Sequence, residues 1–116
     1  MTDLSVLITA SPETRRWLDI IKSKVSLELP SVEYHENMHW ASFKNPSTNR
    51  RFVYLNPLSG QIRLFTKIPV SFDVRLEPTP SSGHWAETYP SIFKIRYEQD
   101  IKKAIHLIIK SYNVDF

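Results

Sequence analysis

An α+β fold in one domain over residues 1–116 is what this sequence predicts: an antiparallel sheet of about four strands, in meander order, packed against an N-terminal and a C-terminal helix. Three observations lead there. Helical periodicity is confined to the two ends of the chain. Short aromatic and β-branched runs fill the middle, and clusters of Asn, Pro, Ser and Gly separate those runs. At 116 residues the chain buries roughly two-thirds of its unfolded surface, enough for one core. Its 41% hydrophobic and 23% charged composition is that of an ordinary globular protein, and two glycines leave no low-complexity linker.

The first helix is announced by Ser11-Pro12-Glu13. A hydroxyl caps, a proline at the first position gives up an N–H that has no partner there anyway, and an acid meets the positive end of the helix dipole. The helix is expected to run to about Ser26, with Trp17, Ile20, Ile21 and Val25 on one stripe and Arg15, Asp19 and Lys22 opposite, before Pro30 ends the segment. The runs Trp40 to Lys44, Arg51 to Leu55 and Ile62 to Lys67 read as three strands, divided by Asn45-Pro46-Ser47-Thr48-Asn49 and Asn56-Pro57-Leu58-Ser59-Gly60. Pro69 to Pro90 holds four of the eight prolines together with Ser81-Ser82-Gly83, which predicts a long ordered loop. Within it, Trp85 is expected to anchor against the sheet or the last helix, and His84 to be partly buried with a polar partner. Ile92 to Arg96 reads as the fourth strand. Glu98 to Tyr112 reads as the closing helix, with Ile101, Ala104, Ile105, Ile108, Ile109 and Tyr112 on its apolar face and Lys102, Lys103, His106 and Lys110 on the other.

Composition also sets functional expectations. No cysteine is present, which removes disulfides, thiolate zinc sites and cysteine nucleophiles. No apolar run approaches the length of a membrane span, and Met1 to Ala10 lacks the basic start of a secretory leader, so a cytoplasmic protein without a membrane partner is expected. Charge is unevenly placed: residues 1–40 hold four Lys/Arg against six acids, and the remainder holds eleven against six. An anionic partner would meet the second part, although scattered cations also serve simply to keep a small domain soluble.

Two constellations merit chemistry. His35-Glu36-Asn37-Met38-His39 matches the H-E-x-x-H pattern of zinc hydrolases. On a helix, His35 and His39 would sit one turn apart and share a metal, with Glu36 activating water and His84 as the best third ligand. In extended chain they would stand about 13 Å apart, too far for one ion. Pro30 and Ser31 permit a short helix, whereas Tyr34, His35, Asn37, His39 and Trp40 disfavour one, and the strands follow the motif where a protease of that kind has one before it. Two half-exposed histidines with no cofactor are therefore the expectation.

The second constellation is cationic and aromatic. Strand alternation puts Arg63, Phe65 and Lys67 on one face, and Lys94 and Arg96 on one face, with Arg50-Arg51 and Lys44 extending the surface. Such a face pairs phosphates with cations and stacks bases on rings, which makes DNA or RNA the expected partner, ahead of a protein partner. Phe43, Phe52, Tyr54 and Phe93 are assigned to the core.

From Trp40 to Tyr112 the chain resembles a small bacterial and archaeal domain of unknown function, often found at the C-terminus of so-called predicted transport proteins. The landmarks are Trp40-Ala41-Ser42-Phe43-Lys44, Arg51-Phe52-Val53-Tyr54-Leu55, Ile62-Arg63-Leu64-Phe65, Gly83-His84-Trp85, and Asp100 through Leu107-Ile108-Ile109-Lys110-Ser111-Tyr112. The sequence departs from that pattern at Ala86, where glycine is usual, and at Thr88-Tyr89-Pro90-Ser91. The resemblance implies an α+β fold and an accessory or binding role, sometimes beside nucleases, with no catalytic residues assigned.

Overall fold

A computed structural model describes residues 10–80 and 83–114. Its order is α1 (Pro12–Glu28), β1 (Glu33–Glu36), β2 (Ala41–Asn45), β3 (Arg50–Pro57), β4 (Ile62–Thr66), a single 3₁₀ turn (Val70–Phe72), β5 (Glu77–Pro78), α2 (His84–Thr88), β6 (Ser91–Ile95) and α3 (Asp100–Val114). The α+β expectation holds, but the antiparallel sheet has six strands in the order β1-β2-β3-β4-β6-β5 rather than about four. The four expected strands are its centre, and the two additions are its edges. β5 has two residues, one of them proline, which a strand tolerates at an edge where its missing N–H breaks no ladder.

α1 begins as its sequence says. The Ser11 Oγ accepts from the Thr14 amide at 3.2 Å while Thr14 Oγ1 accepts from the Ser11 amide at 2.9 Å, a reciprocal cap that satisfies two donors at the helix start. Trp17, Leu18, Ile21 and Val25 face the core, and the helix runs two residues past Ser26 to Glu28. α3 lies beside α1 on the same face of the sheet. Its buried stripe is Ile101, Ala104, Leu107, Ile108 and Ser111, so Leu107 and Ser111 replace Ile105, Ile109 and Tyr112, which are half-buried at its flanks. The stripe has turned because α3 packs on both the sheet and α1, and the ridge between those two contacts is where burial is deepest. Together the helices cover Ala41, Phe43, Phe52, Val53, Leu55, Ile62, Leu64, Phe93 and Ile95, all fully buried.

One irregularity in this sheet controls what the other face displays. Between β2 and β3 the register slips: Phe43 pairs with Val53 but Lys44 pairs with Arg51, leaving Phe52 as an extra residue. The bulge lets both Phe52 and Val53 point into the helix-covered core. It is pinned from α3, where the buried Ser111 Oγ donates to the Phe52 carbonyl at 2.6 Å and accepts from the Lys67 amide at 2.9 Å. A carboxylate supplies a second tie. Asp100 accepts from the amides of Arg96 and Tyr97 and from the Arg75 guanidinium, joining the end of β6, the loop before β5 and the start of α3.

Candidate functional site

Because side chains alternate across a strand, the register fixes which residues share the face turned away from α1 and α3. Three cross-strand rows result. The first is Lys44 and Arg51, directly paired, with Glu33 beyond them on β1. The middle row is His35, Ser42, Tyr54, Phe65 and Ile92, ending at Glu77. The third contains Asn56, Arg63 and Lys94, with Trp40 at the mouth of β2.

The middle row is aromatic and is capped by α2. Phe65, expected on the binding surface, is instead buried with Ile92 and Tyr89 in a second cluster, because Trp85 of α2 packs over it, and Trp40, Tyr54 and Trp85 pack half-buried against that cluster. Trp85 is the hub, with ring centroids 5.6 Å from Trp40, 5.0 Å from Tyr54, 5.6 Å from Phe65 and 4.8 Å from Tyr89. These tilted and edge-on pairings match the electrostatic preference of aromatic quadrupoles. The Tyr89 hydroxyl also donates to the Arg51 carbonyl at 2.6 Å, fastening α2 to the bulged strand. The anchoring expected of Trp85 is thus what the fold displays, though the segment before β6 includes a helix where only loop was expected. His84 is a correction: its side chain is fully exposed on the first turn of α2, with Glu87 3.7 Å away. Trp85 and Tyr89, four residues apart, take the face of this short helix that meets the sheet, and His84 is left on the solvent side. Ser81 and Ser82 lie outside the described residues.

Among the cations named from sequence, Lys44, Arg51, Arg63 and Lys94 do share the outer face, in two pairs on either side of the aromatic row. Arg51 Nε donates to Ser42 Oγ at 3.0 Å. Arg63 donates through Nε and Nη2 to Asn56 Oδ1, and its guanidinium lies 5.7 Å from the Phe65 ring centre. Lys94 is paired with Glu77 at 3.1 Å, which offsets its charge. Arg96 follows the end of β6 and donates to the Gln61 side chain at 3.3 Å, continuing the line of Arg63 and Lys94 toward the β3–β4 turn. Lys67 follows β4 on the phase of Arg63 and Phe65. Arg50 stands apart: it pairs with Asn45, on the phase opposite to Arg51, so the adjacent arginines do not act as one patch.

The H-E-x-x-H segment is a hairpin, not a helix. Glu33–Glu36 is strand β1, and Met38-His39 is the two-residue tip, closed by the Asn37 amide donating to the Trp40 carbonyl at 2.9 Å. Asn37 Oδ1 accepts from the amides of His39 and Trp40, the side-chain mimicry of a turn that asparagine favours. His35 Nε2 lies 3.2 Å from Glu33 Oε1. Glu36 is engaged on the opposite, helix-facing side, where it accepts from Arg15 at 3.0 Å and from the Tyr34 hydroxyl at 2.5 Å. Burial and that hydrogen bond push the Tyr34 phenol well above its ordinary value. His35, His39 and His84 therefore lie on a strand, a hairpin tip and a separate helix. Among the described residues no three metal-ligating side chains gather.

Between β1, β2 and β3 the outer face forms a cleft of about 280 Å³, lined by His35, Glu36, Asn37, Trp40, Ser42, Arg51 and Tyr54, with the Glu36 carboxylate itself held by Arg15 and Tyr34. Sequence reasoning passed over Trp40, Ser42 and Tyr54 as site residues. For Trp40 and Ser42 the signal was present, since simple alternation places them with Lys44. Tyr54 shares a face with Arg51 only through the bulge, which no local pattern announces. No family model matches this chain, nor does any curated protein or solved structure.

Proposed function

We propose that the chain is a non-enzymatic binding module that presents the outer face of its sheet to DNA or RNA. One observation supports this reading above others: Lys44, Arg51 and Arg63 flank a row of rings, of which Trp40 and Tyr54 stay partly exposed beside α2, on the sheet face that the long helices leave uncovered. Cations arrayed along a groove neutralise phosphates and release counterions, and ring faces accept bases without regard to sequence. The resemblance noted from Trp40 to Tyr112 points the same way, toward an accessory module beside nucleic-acid-processing partners. A cytoplasmic setting is part of this proposal; among the described residues no helix is long and apolar enough to cross a membrane.

The test is the salt dependence of binding. A labelled oligonucleotide is titrated at two salt concentrations against the wild type and against Arg51→Gln, Arg63→Gln and Lys102→Gln. Each outer-face arginine that touches phosphate lowers the logarithmic salt slope by roughly one unit, while Lys102, exposed on α3 behind the sheet, leaves it unchanged. Equal effects from all three, or no binding near physiological salt, would make a protein the better partner.

A further inference from the structure

The cleft beside the aromatic row has the parts of a more specific reader. Its floor is Ser42, 3% exposed, whose Oγ holds Arg51 through Nε. That bond ties down the guanidinium at Nε and leaves both Nη groups without a protein acceptor among the described residues. One wall is the Trp40 and Tyr54 rings, 5.8 Å apart and nearly perpendicular, braced from behind by Trp85. The Tyr54 hydroxyl adds a polar group with no protein partner among the described residues, and His35 stands at the rim beside Glu33.

A braced aromatic wall beside a fixed guanidinium suits a flat heteroaromatic ring joined to a phosphate. Arginine is the side chain for this, since its planar fork matches a phosphate edge with two parallel hydrogen bonds where lysine offers a point charge. At about 280 Å³ the cleft lies near the lower limit of ligand sites and holds one nucleotide unit, not a stacked base pair. We propose that it captures a single unpaired nucleotide, its base against Trp40 and Tyr54 and its phosphate on Arg51, so that the module selects single strands over duplex. This rests on the reading of the outer face as a nucleic-acid surface and adds strand selectivity to it.

The experiment compares a labelled single-stranded 12-mer with its duplex, using the whole chain and intrinsic tryptophan fluorescence. The single strand is expected to bind on the order of tenfold tighter or more, the worth of one stacked base. Adenosine 5′-monophosphate should compete and quench Trp40 emission, whereas ribose 5-phosphate, which lacks the base, should do neither. Arg51→Lys keeps the charge and should retain duplex binding while losing most of the single-strand preference. Tyr54→Leu should do the same through the lost ring, with its melting temperature measured alongside. Arg51→Lys guards against the case in which Tyr54→Leu simply unfolds. Equal affinity for single strand and duplex, with Arg51→Lys and Tyr54→Leu changing neither, would overturn the cleft while leaving the outer-face reading intact. Absence of binding to either form would overturn both.

Discussion

Ser111→Ala should be the most damaging small change in this chain. The substitution removes one oxygen, yet that oxygen serves two backbone groups from distant elements: it donates to the Phe52 carbonyl and accepts from the Lys67 amide. Ser111 is fully buried, so water does not replace what is lost. An orphaned buried backbone group costs about 1–3 kcal/mol, and partial relaxation of α3 against β3 recovers some of it, giving about 2–4 kcal/mol for the pair. For a chain of 116 residues each kcal/mol moves the melting temperature by roughly 4 °C, so a fall of about 8–16 °C is expected. Urea and thermal melts read the total. Amide exchange reads the location, since Lys67 should lose protection in the variant. A drop within about 2 °C, with Lys67 as protected as in the wild type, would refute the argument that this hydroxyl pins the bulge.

Other expectations follow from the same contacts. Burial alone would raise the Asp100 carboxyl, but the Arg75 guanidinium and the amides of Arg96 and Tyr97 outweigh it and hold the group below the usual carboxylate range. Its contribution to stability is therefore complete above an unfolded value of about 3.9 and is lost as pH falls through the lower folded one. Asp100→Asn should flatten the acid limb of a stability-versus-pH curve below about pH 4, and an unchanged limb would exclude Asp100 as its source. Trp85→Ala should cost about 2–3 kcal/mol, less than a fully buried ring, because Trp85 is half-buried among four other rings. An unaltered melting temperature with binding abolished would make Trp85 a ligand contact and not a brace. Zinc content measured by native mass spectrometry should be the same in His35→Ala and His39→Ala as in the wild type, and one zinc per chain lost in either variant would restore the metal reading.

Much of the architecture was legible because it follows from local rules. Ser11-Pro12 set the start of α1, the two amphipathic stretches set both long helices, and four aromatic runs set the sheet's centre in the correct pairing order. The edges escaped for a physical reason. β1 lies in Glu33-Tyr34-His35-Glu36, where one face meets α1 and the other meets solvent, so polar residues appear on both sides and no apolar alternation is visible. β5 is too short to carry a pattern. The candidate site was half legible. Lys44, Arg51, Arg63 and Lys94 do lie together, while Arg50 falls on the face opposite to Arg51 by simple alternation, and Tyr54 reaches the face of Arg51 only because alternation fails at the Phe52 bulge. His84 was misread because a histidine beside tryptophan suggests a shared environment, whereas the first two residues of a short helix point in different directions.

The position of the cleft follows from a mismatch of sizes. Six strands at about 4.8 Å spacing make a sheet roughly 24 Å across, and α2, with five residues at 1.5 Å each, extends about 7.5 Å. The helix therefore shelters only the centre of the outer face, where Trp85 and Tyr89 rest on Tyr54 and Phe65. Toward β1 the cover stops, and the last rings of the cluster, Trp40 and Tyr54, each keep part of their surface in the open. The same rings thus close the second core from one side and wall the cleft from the other. Binding residues held this way need little ordering when a ligand arrives, because Trp85 and the Phe52 bulge already fix their rotamers and phase. The consequence is a coupling between the two faces of the sheet. A change at Ser111, on the helix side, should release the bulge, let Tyr54 and Arg51 lose their common face, and weaken single-strand capture without touching any residue of the cleft.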